Sequence, residues 1–262
     1  MLEPLLETWY MIPLTILAGF VAGIINTLAG SGSVVTLSML SFLGLPSSIA
    51  NGTNRIGVLF QSFTGFFTYK KKAKIDVSNK KGLIASCVLG SIVGSKIAVE
   101  INEFYLNLFF SVTMVCLLLT ILLNSKSWLA EQAKDKKQPP LLITIPLFFL
   151  IGIYGGLFQA GVGILLLTSL ILGQGLNLKQ ANGIKLLIVM LYIVPSLMVF
   201  YFNGQLAWAY GFLLAIGQVA GAYLAATFAT QFPRANVYIH RLLIVVLVVS
   251  IFRFGYLAYC AS

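Results

Sequence analysis

The sequence has almost nothing with which to hold a metal ion or to run acid–base chemistry. It contains one histidine, His240, and three cysteines, Cys87, Cys116 and Cys260, which stand in apolar stretches without CxxC or CxxH spacing. The cysteines read as small buried hydrophobes, and no metal, redox pair or cofactor is expected. Acidic residues are equally scarce. All seven, Glu3, Glu7, Asp76, Glu100, Glu103, Glu131 and Asp135, fall in tails or loops. The turn Gly30-Ser31-Gly32 has the look of a serine nucleophile turn, but no base lies near it in sequence, so an intramembrane enzyme is not expected.

Charge of either sign makes up 9% of the 262 residues, against roughly 25% in soluble domains. Apolar residue takes its place, at 59% of the chain and a mean hydropathy of +0.95. Runs such as Leu106–Leu123 and Leu206–Phe228 have the length of about 20 residues that crosses a hydrocarbon core. The fold class is therefore an all-α polytopic membrane protein, one integral membrane domain without a separate soluble part. The opening MLEPLLETWY carries two glutamates and no lysine, unlike the basic start of a secretory signal, so the first apolar segment is expected to stay in the mature protein.

The net charge of +10 does not point to nucleic acid, because ten of the seventeen basic residues sit in two loops, Lys70–Lys81 and Asn124–Lys137. Such clustering is what the positive-inside rule produces.

The chain repeats itself. GFVAGIINTLAGSGS (Gly19–Ser33) resembles GIYGGLFQAGVGI (Gly152–Ile164), and SSIANGTNR matches KQANGIKL at an offset of 131. LGSIVGSKIA (Leu89–Ala98) matches IGQVAGAYLA (Ile216–Ala225) at an offset of 127. Residues 1–123 and 141–262 thus read as two transmembrane repeats joined by a basic linker, 124–140. Loop charge reverses between the copies: 70–81 has six lysines and its counterpart 201–206 no charge, whereas 100–103 has no lysine and its counterpart near 230–241 has Arg234 and Arg241. This predicts an inverted-topology repeat, with both termini outside and the loops 70–81, 124–140 and 230–241 in the cytoplasm.

Each repeat divides into five helical segments: 11–28, 33–44, 47–69, 82–99 and 104–123, then 141–159, 163–174, 178–201, 207–229 and 236–259. The second of each set is about 11 residues, or roughly 16 Å, half of a core of about 30 Å. A broken or re-entrant hairpin with a glycine-rich tip is expected, and irregular backbone at that depth is tolerated only inside protein or beside a cavity. Counting down from the outer face places Arg55 about 14 Å deep, level with Ser31, Gly32 and Ser33 at one tip. Lys185 reaches an equivalent depth from the other face, level with Gly161 and Gly163.

Arg55, Lys96 and Lys185 fall within predicted helices, with no carboxylate at their depth. A buried unpaired cation is costly, and an anionic substrate would compensate it, helped by helix N-termini at the tips. The substrate-binding candidates are Asn51, Thr53, Asn54, Arg55, Asn182, Lys185, Ser31, Gly32, Ser33, Gly161 and Gly163. Structural readings stand beside these. Gly19/Gly23 and Gly152/Gly156 suit small-residue helix packing, Lys96 is close enough to its helix end to snorkel, and Asn51 and Asn182 could bond between helices.

These same stretches, GFVAGIINTLAGSGSVVTLSML, GLPSSIANGTNRI and GGLFQAGVGILLL…QANGIKLL, resemble the sulfite exporter TauE/SafE family over nearly the whole chain. The resemblance implies a permease of a bacterial-type cytoplasmic membrane that moves sulfite or small organosulfonates, generally outward. The family's TN-plus-basic motif falls on Thr53, Asn54 and Arg55, and its second-half basic position on Lys185. The expected partners are a small anionic substrate and the lipid bilayer. The oligomeric state stays open, a homo-oligomer included. A secondary transporter working by alternating access is the leading expectation, and an anion channel using the same cationic path is the alternative. No intramembrane carboxylate or histidine announces a coupling proton.

Overall fold

The computed structural model describes residues 10–72, 75, 77, 80–123, 140–228 and 235–260. The expected linker 124–140 lies outside them except for Pro140, as do parts of the loops 70–81 and 230–241. The described residues form helices and no strand: α1 (Met11–Leu28), α2 (Ser33–Phe42), α3 (Ser47–Lys72), α4 (Lys81–Glu100), α5 (Glu103–Leu123), α6 (Leu141–Leu157), α7 (Val162–Thr168), α8 (Leu178–Phe202), α9 (Trp208–Phe228) and α10 (Ala235–Cys260). Where the sequence suggests one helix over 163–174, α7 stops at Thr168 and a π-helical turn, Ser169–Gly173, continues it. The expected segment 33–44 ends two residues early, at Phe42, because Gly44 takes a left-handed φ of 83°.

Six of these helices are long and apolar enough to cross a membrane. Large apolar side chains such as Leu89, Leu119, Ile216 and Phe252 stand half or more exposed on the outside, a surface suited to lipid rather than water. The chain is a multi-pass, all-α membrane protein. Cys87 is buried, as expected, whereas Cys116 and Cys260 are exposed on this outer surface. Helix packing alone covers the core, and neither of these two cysteines faces it.

Two glycine seams set the frame. Gly19 and Gly23 of α1 lie directly on the backbone of Leu214 and Gln218 of α9, and Gly217 and Gly221 of α9 lie on the backbone around Ile16 and Phe20. Gly152 and Gly156 of α6 meet Cys87 and Ser91 of α4 in the same way, while Gly90 and Gly94 of α4 lie on Phe149 and Ile153. A Cβ at any of these positions would collide with main chain, so the small-residue reading of this pattern holds. Both pairs advance four residues at a time in the same direction, so α1 runs parallel to α9 and α6 to α4. Helices α3 and α8 pack on each other and on this frame, and α5 packs on α10.

Both α1 and α6 stop inside the protein. Gly30 (φ 81°) and Gly161 (φ 77°) take left-handed backbone that ends the preceding stretch. The chain then reverses, putting Gly32 against the backbone of Ala22 and Asn26, and Val162 against Gly155. Asn26 fastens the first reversal by accepting from the Ser33 N–H, 3.2 Å away, at the start of α2. The Tyr154 hydroxyl fastens the second, donating to the Ala160 carbonyl at 2.6 Å.

Candidate functional site

A helix that ends away from water leaves its last carbonyls without partners and carries a partial negative charge there. Each broken helix has its end held by a cation from the opposite half of the chain. Lys185 of α8 donates to the carbonyls of Asn26 (2.9 Å) and Thr27 (3.0 Å) at the end of α1, and to Asn182 Oδ1 at 2.8 Å. Arg55 of α3 donates to the carbonyls of Gly155 (3.0 Å) and Gly156 (2.6 Å) at the end of α6, and more loosely to Asn51 Oδ1 at 3.4 Å. Asn51 adds a bond from Nδ2 to the Leu157 carbonyl, 2.7 Å away. The two ANG motifs thus do the same work: a cation satisfies a helix end, and an asparagine one turn or less before it steadies the cation.

A third cation of this kind was not among the sequence candidates. Arg253 on α10 donates through Nη2 to the Ser41 carbonyl (2.8 Å) and through Nε to the Ser41 hydroxyl (3.1 Å), at the end of α2. It escapes notice because it lies near the end of a long apolar segment, where snorkelling to the interface would be its ordinary fate. One of the few acids also finds structural work. Glu103 accepts from the N–H groups of Ser47 and Ser48 (3.1 and 3.0 Å), capping the start of α3.

The two reversals meet. Gly30 and Gly163 lie backbone against backbone, too close for a side chain on either. Beside this contact is a pocket with polar walls from Asn26, Gln61, Ser62, Gln159 and Lys185, closed by Val58, Val162, Leu186 and Val189. It has room for about one water molecule. Lys185 is the charged side chain on this wall among the described residues, and its three N–H bonds are all in use.

The sequence candidates distribute unevenly around it. Lys185 and Gly163 line the pocket. Asn182 stands behind Lys185 as its acceptor. Ser33 and Gly32 shape the first reversal, Ser33 through its bonds with Asn26. Ser31 is fully buried, and its hydroxyl has no partner among the described residues. Gly161 supplies the left-handed turn before α7 and packs on Leu117. Thr53 accepts from the Ala207 N–H at 2.9 Å just before α9, and Asn54 accepts from the Thr36 hydroxyl at 2.5 Å. Arg55 is fully buried, with its guanidinium 4.6 Å from the centre of the Phe200 ring, and it is not on the pocket wall. The expectation that Arg55 lacks a counter-charge is therefore corrected: the α6 carbonyls supply it. Lys96 is exposed, as a snorkelling residue should be.

Asn26, Gln61, Ser62 and Gln159 are the pocket residues that sequence reasoning missed. Two signals could have found them. Asn26 and Gln159 occupy matching places in the two copies of the glycine-rich segment, and Gln61-Ser62 interrupts the apolar run after Gly57.

Known proteins agree with a transport role. The family model described as sulfite exporter TauE/SafE matches residues 15–254. A probable membrane transporter protein, ORF9, of a Sinorhizobium species is 23% identical over 84% of each chain. A probable membrane transporter protein of Haemophilus influenzae is 24% identical over 79% of this chain and 81% of its own. The probable membrane transporter protein YfcA of Escherichia coli K12 is 24% identical over 78% of this chain and 76% of its own. No solved structure matches the chain. With a family model covering nearly all of it, the chain belongs to the sulfite exporter TauE/SafE family and is a membrane transporter, not an enzyme.

Proposed function

We propose that this transporter moves small sulfur-containing oxyanions, sulfite or organosulfonates, out of the cell across a bacterial-type cytoplasmic membrane. The observation that carries the reading is Lys185, a positive charge on the wall of a pocket formed where two broken helices meet. Discontinuous helices at the junction of two repeats are where inverted-repeat transporters bind substrate. The family model's description names sulfite, and a small anion with several acceptor oxygens suits an ammonium beside neutral hydrogen-bonding groups.

The parallel pairings α1–α9 and α6–α4 support reading 1–123 and 141–262 as two oppositely oriented repeats, and the lysine bias of the loops favours both termini outside. In this reading α1–α2 and α6–α7 are re-entrant hairpins, and movement of either exposes the pocket to one side of the membrane. Lys185 now spends its bonds on the α1 end. When α1 shifts, its carbonyls leave the ammonium and a substrate oxygen replaces them. Asn182, Gly163 and the Ser31–Ser33 turn complete the substrate's surroundings, while Asn51, Thr53, Asn54, Arg55 and Gly161 hold the hairpins in register. An inside-negative potential drives an anion outward by about 2.3 kcal/mol per charge per 100 mV, so no coupling ion is required.

Counterflow tests the reading. Proteoliposomes loaded with unlabelled sulfite should transiently accumulate labelled sulfite above its outside concentration, because a carrier exchanges faces with substrate aboard. Labelled sulfite that merely equilibrates, with a flux that never saturates, would identify an anion channel instead.

A further inference from the structure

We infer that the anion in this pocket is held mainly by neutral donors, the amide NH2 groups of Gln61 and Gln159 and the hydroxyl of Ser62, rather than by Arg55. The inference rests on the proposed anion-transport reading and names the groups that would recognise the anion.

The chain of donors fixes which way Gln61 faces. A backbone N–H can only donate, so the Ser33 N–H must meet the oxygen of the Asn26 amide, as it does at 3.2 Å. The Asn26 nitrogen is then left to donate, and it donates to Gln61 Oε1 at 3.1 Å. Gln61 is thereby pinned by its oxygen, and its NH2 group has no protein acceptor among the described residues. Gln159 is also held through its oxygen. The Tyr192 hydroxyl donates to its Oε1 at 3.0 Å, which leaves its NH2 group unused as well. Ser62 is fully buried, and its hydroxyl has no partner among the described residues. All three residues line the pocket.

A buried donor left without an acceptor costs free energy. Two glutamine NH2 groups and one hydroxyl around one space, none with a bonding partner among the described residues, form a surface rich in donors. Once widened by the proposed shift of α1, the space would take an oxyanion offering at least three acceptor oxygens. Lys185 supplies the charge next to this set, through the same Asn26 whose carbonyl it holds.

Equilibrium binding of labelled sulfite, methanesulfonate and phosphate to the protein in lipid nanodiscs tests this, alongside thermal stability. Gln61→Glu and Gln159→Glu keep an oxygen for Asn26 and Tyr192 to donate to, while turning the pocket face from donor to acceptor. Each is expected to weaken binding by the folded fraction by about tenfold or more. Ser62→Ala removes a hydroxyl that no group among the described residues uses, and should weaken binding by about three- to tenfold at unchanged stability. If wild type binds sulfite or methanesulfonate and all three variants match it within about twofold, the donor set is wrong and the sulfur-oxyanion reading survives. If wild type binds phosphate alone and the variants abolish that, the donor set stands and the sulfur reading falls. Binding of no oxyanion by wild type would overturn both.

Discussion

The ammonium of Lys185 lies 2.9 Å from the carbonyl oxygen of Asn26, so the last turn of α1 is held by a residue from the other half of the chain. The same residue lines the pocket between the two broken helices. One group therefore serves both as a clasp and as the charge a substrate would meet, and its removal should be felt twice. Lys185→Met keeps the length of the side chain and loses three charge-assisted bonds. Flux of the transported anion should fall on the order of 100-fold, about 3 kcal/mol, with a lower melting temperature in detergent. Flux kept within about twofold of wild type would remove Lys185 from the transport path.

Arg55 should behave differently. It makes equivalent bonds to the end of α6 but has no face on the pocket. Arg55→Lys exchanges a planar fork that serves two carbonyls at once for a single ammonium. The expected result is a loss of about 2 kcal/mol of stability, read as a lower melting temperature, with substrate affinity of the folded fraction within about threefold of wild type. A large loss of affinity at unchanged stability would return Arg55 to the binding site.

The Gly30–Gly163 contact allows a sharp comparison between glycines. Gly30→Ala meets two obstacles, a left-handed φ of 81° and the Gly163 backbone where the new methyl would lie. It should abolish transport and reduce the yield of folded protein. Gly82, exposed in the first turn of α4 with open space around it, predicts the reverse. Gly82→Ala should leave transport intact and raise stability by up to about 1 kcal/mol. Parallel expression and flux measurements on the two variants check both halves of this prediction.

Orientation is open to a labelling test. Glu100 and Lys71 are exposed at opposite ends of the α3–α4 pair. With Cys116 and Cys260 changed to alanine and the buried Cys87 kept, a membrane-impermeant maleimide should label Glu100→Cys in intact cells. Lys71→Cys should react only after permeabilisation. The opposite pattern would invert the proposed topology.

The frame of this protein is written plainly in its sequence, whereas much of the site is not. Glycines four apart announce the α1–α9 and α6–α4 seams because only a residue without a side chain lets two backbones touch. The short second segments and their glycine turns announce broken helices, though not the π turn at Ser169–Gly173, which leaves no distinct pattern of residues. Arg55 was harder to place. A count of side-chain charges finds no partner for it, since the partial charge that balances it belongs to the backbone carbonyls of Gly155 and Gly156, which any sequence would supply. Where a helix stops inside the protein, its end is an acceptor, and a search for carboxylates misses it. Gln61 and Gln159 were overlooked for a related reason. Neutral amides carry no charge to attract attention, and their orientation depends on Asn26 and Tyr192, partners distant in the chain.

The most direct test of the account is efflux of labelled sulfite from proteoliposomes at two clamped membrane potentials, wild type beside Lys185→Met. The account predicts saturable efflux from wild type that quickens when the inside is made more negative, and almost none from the variant. Equal efflux from both proteins, or efflux from wild type that ignores both concentration and potential, would contradict it.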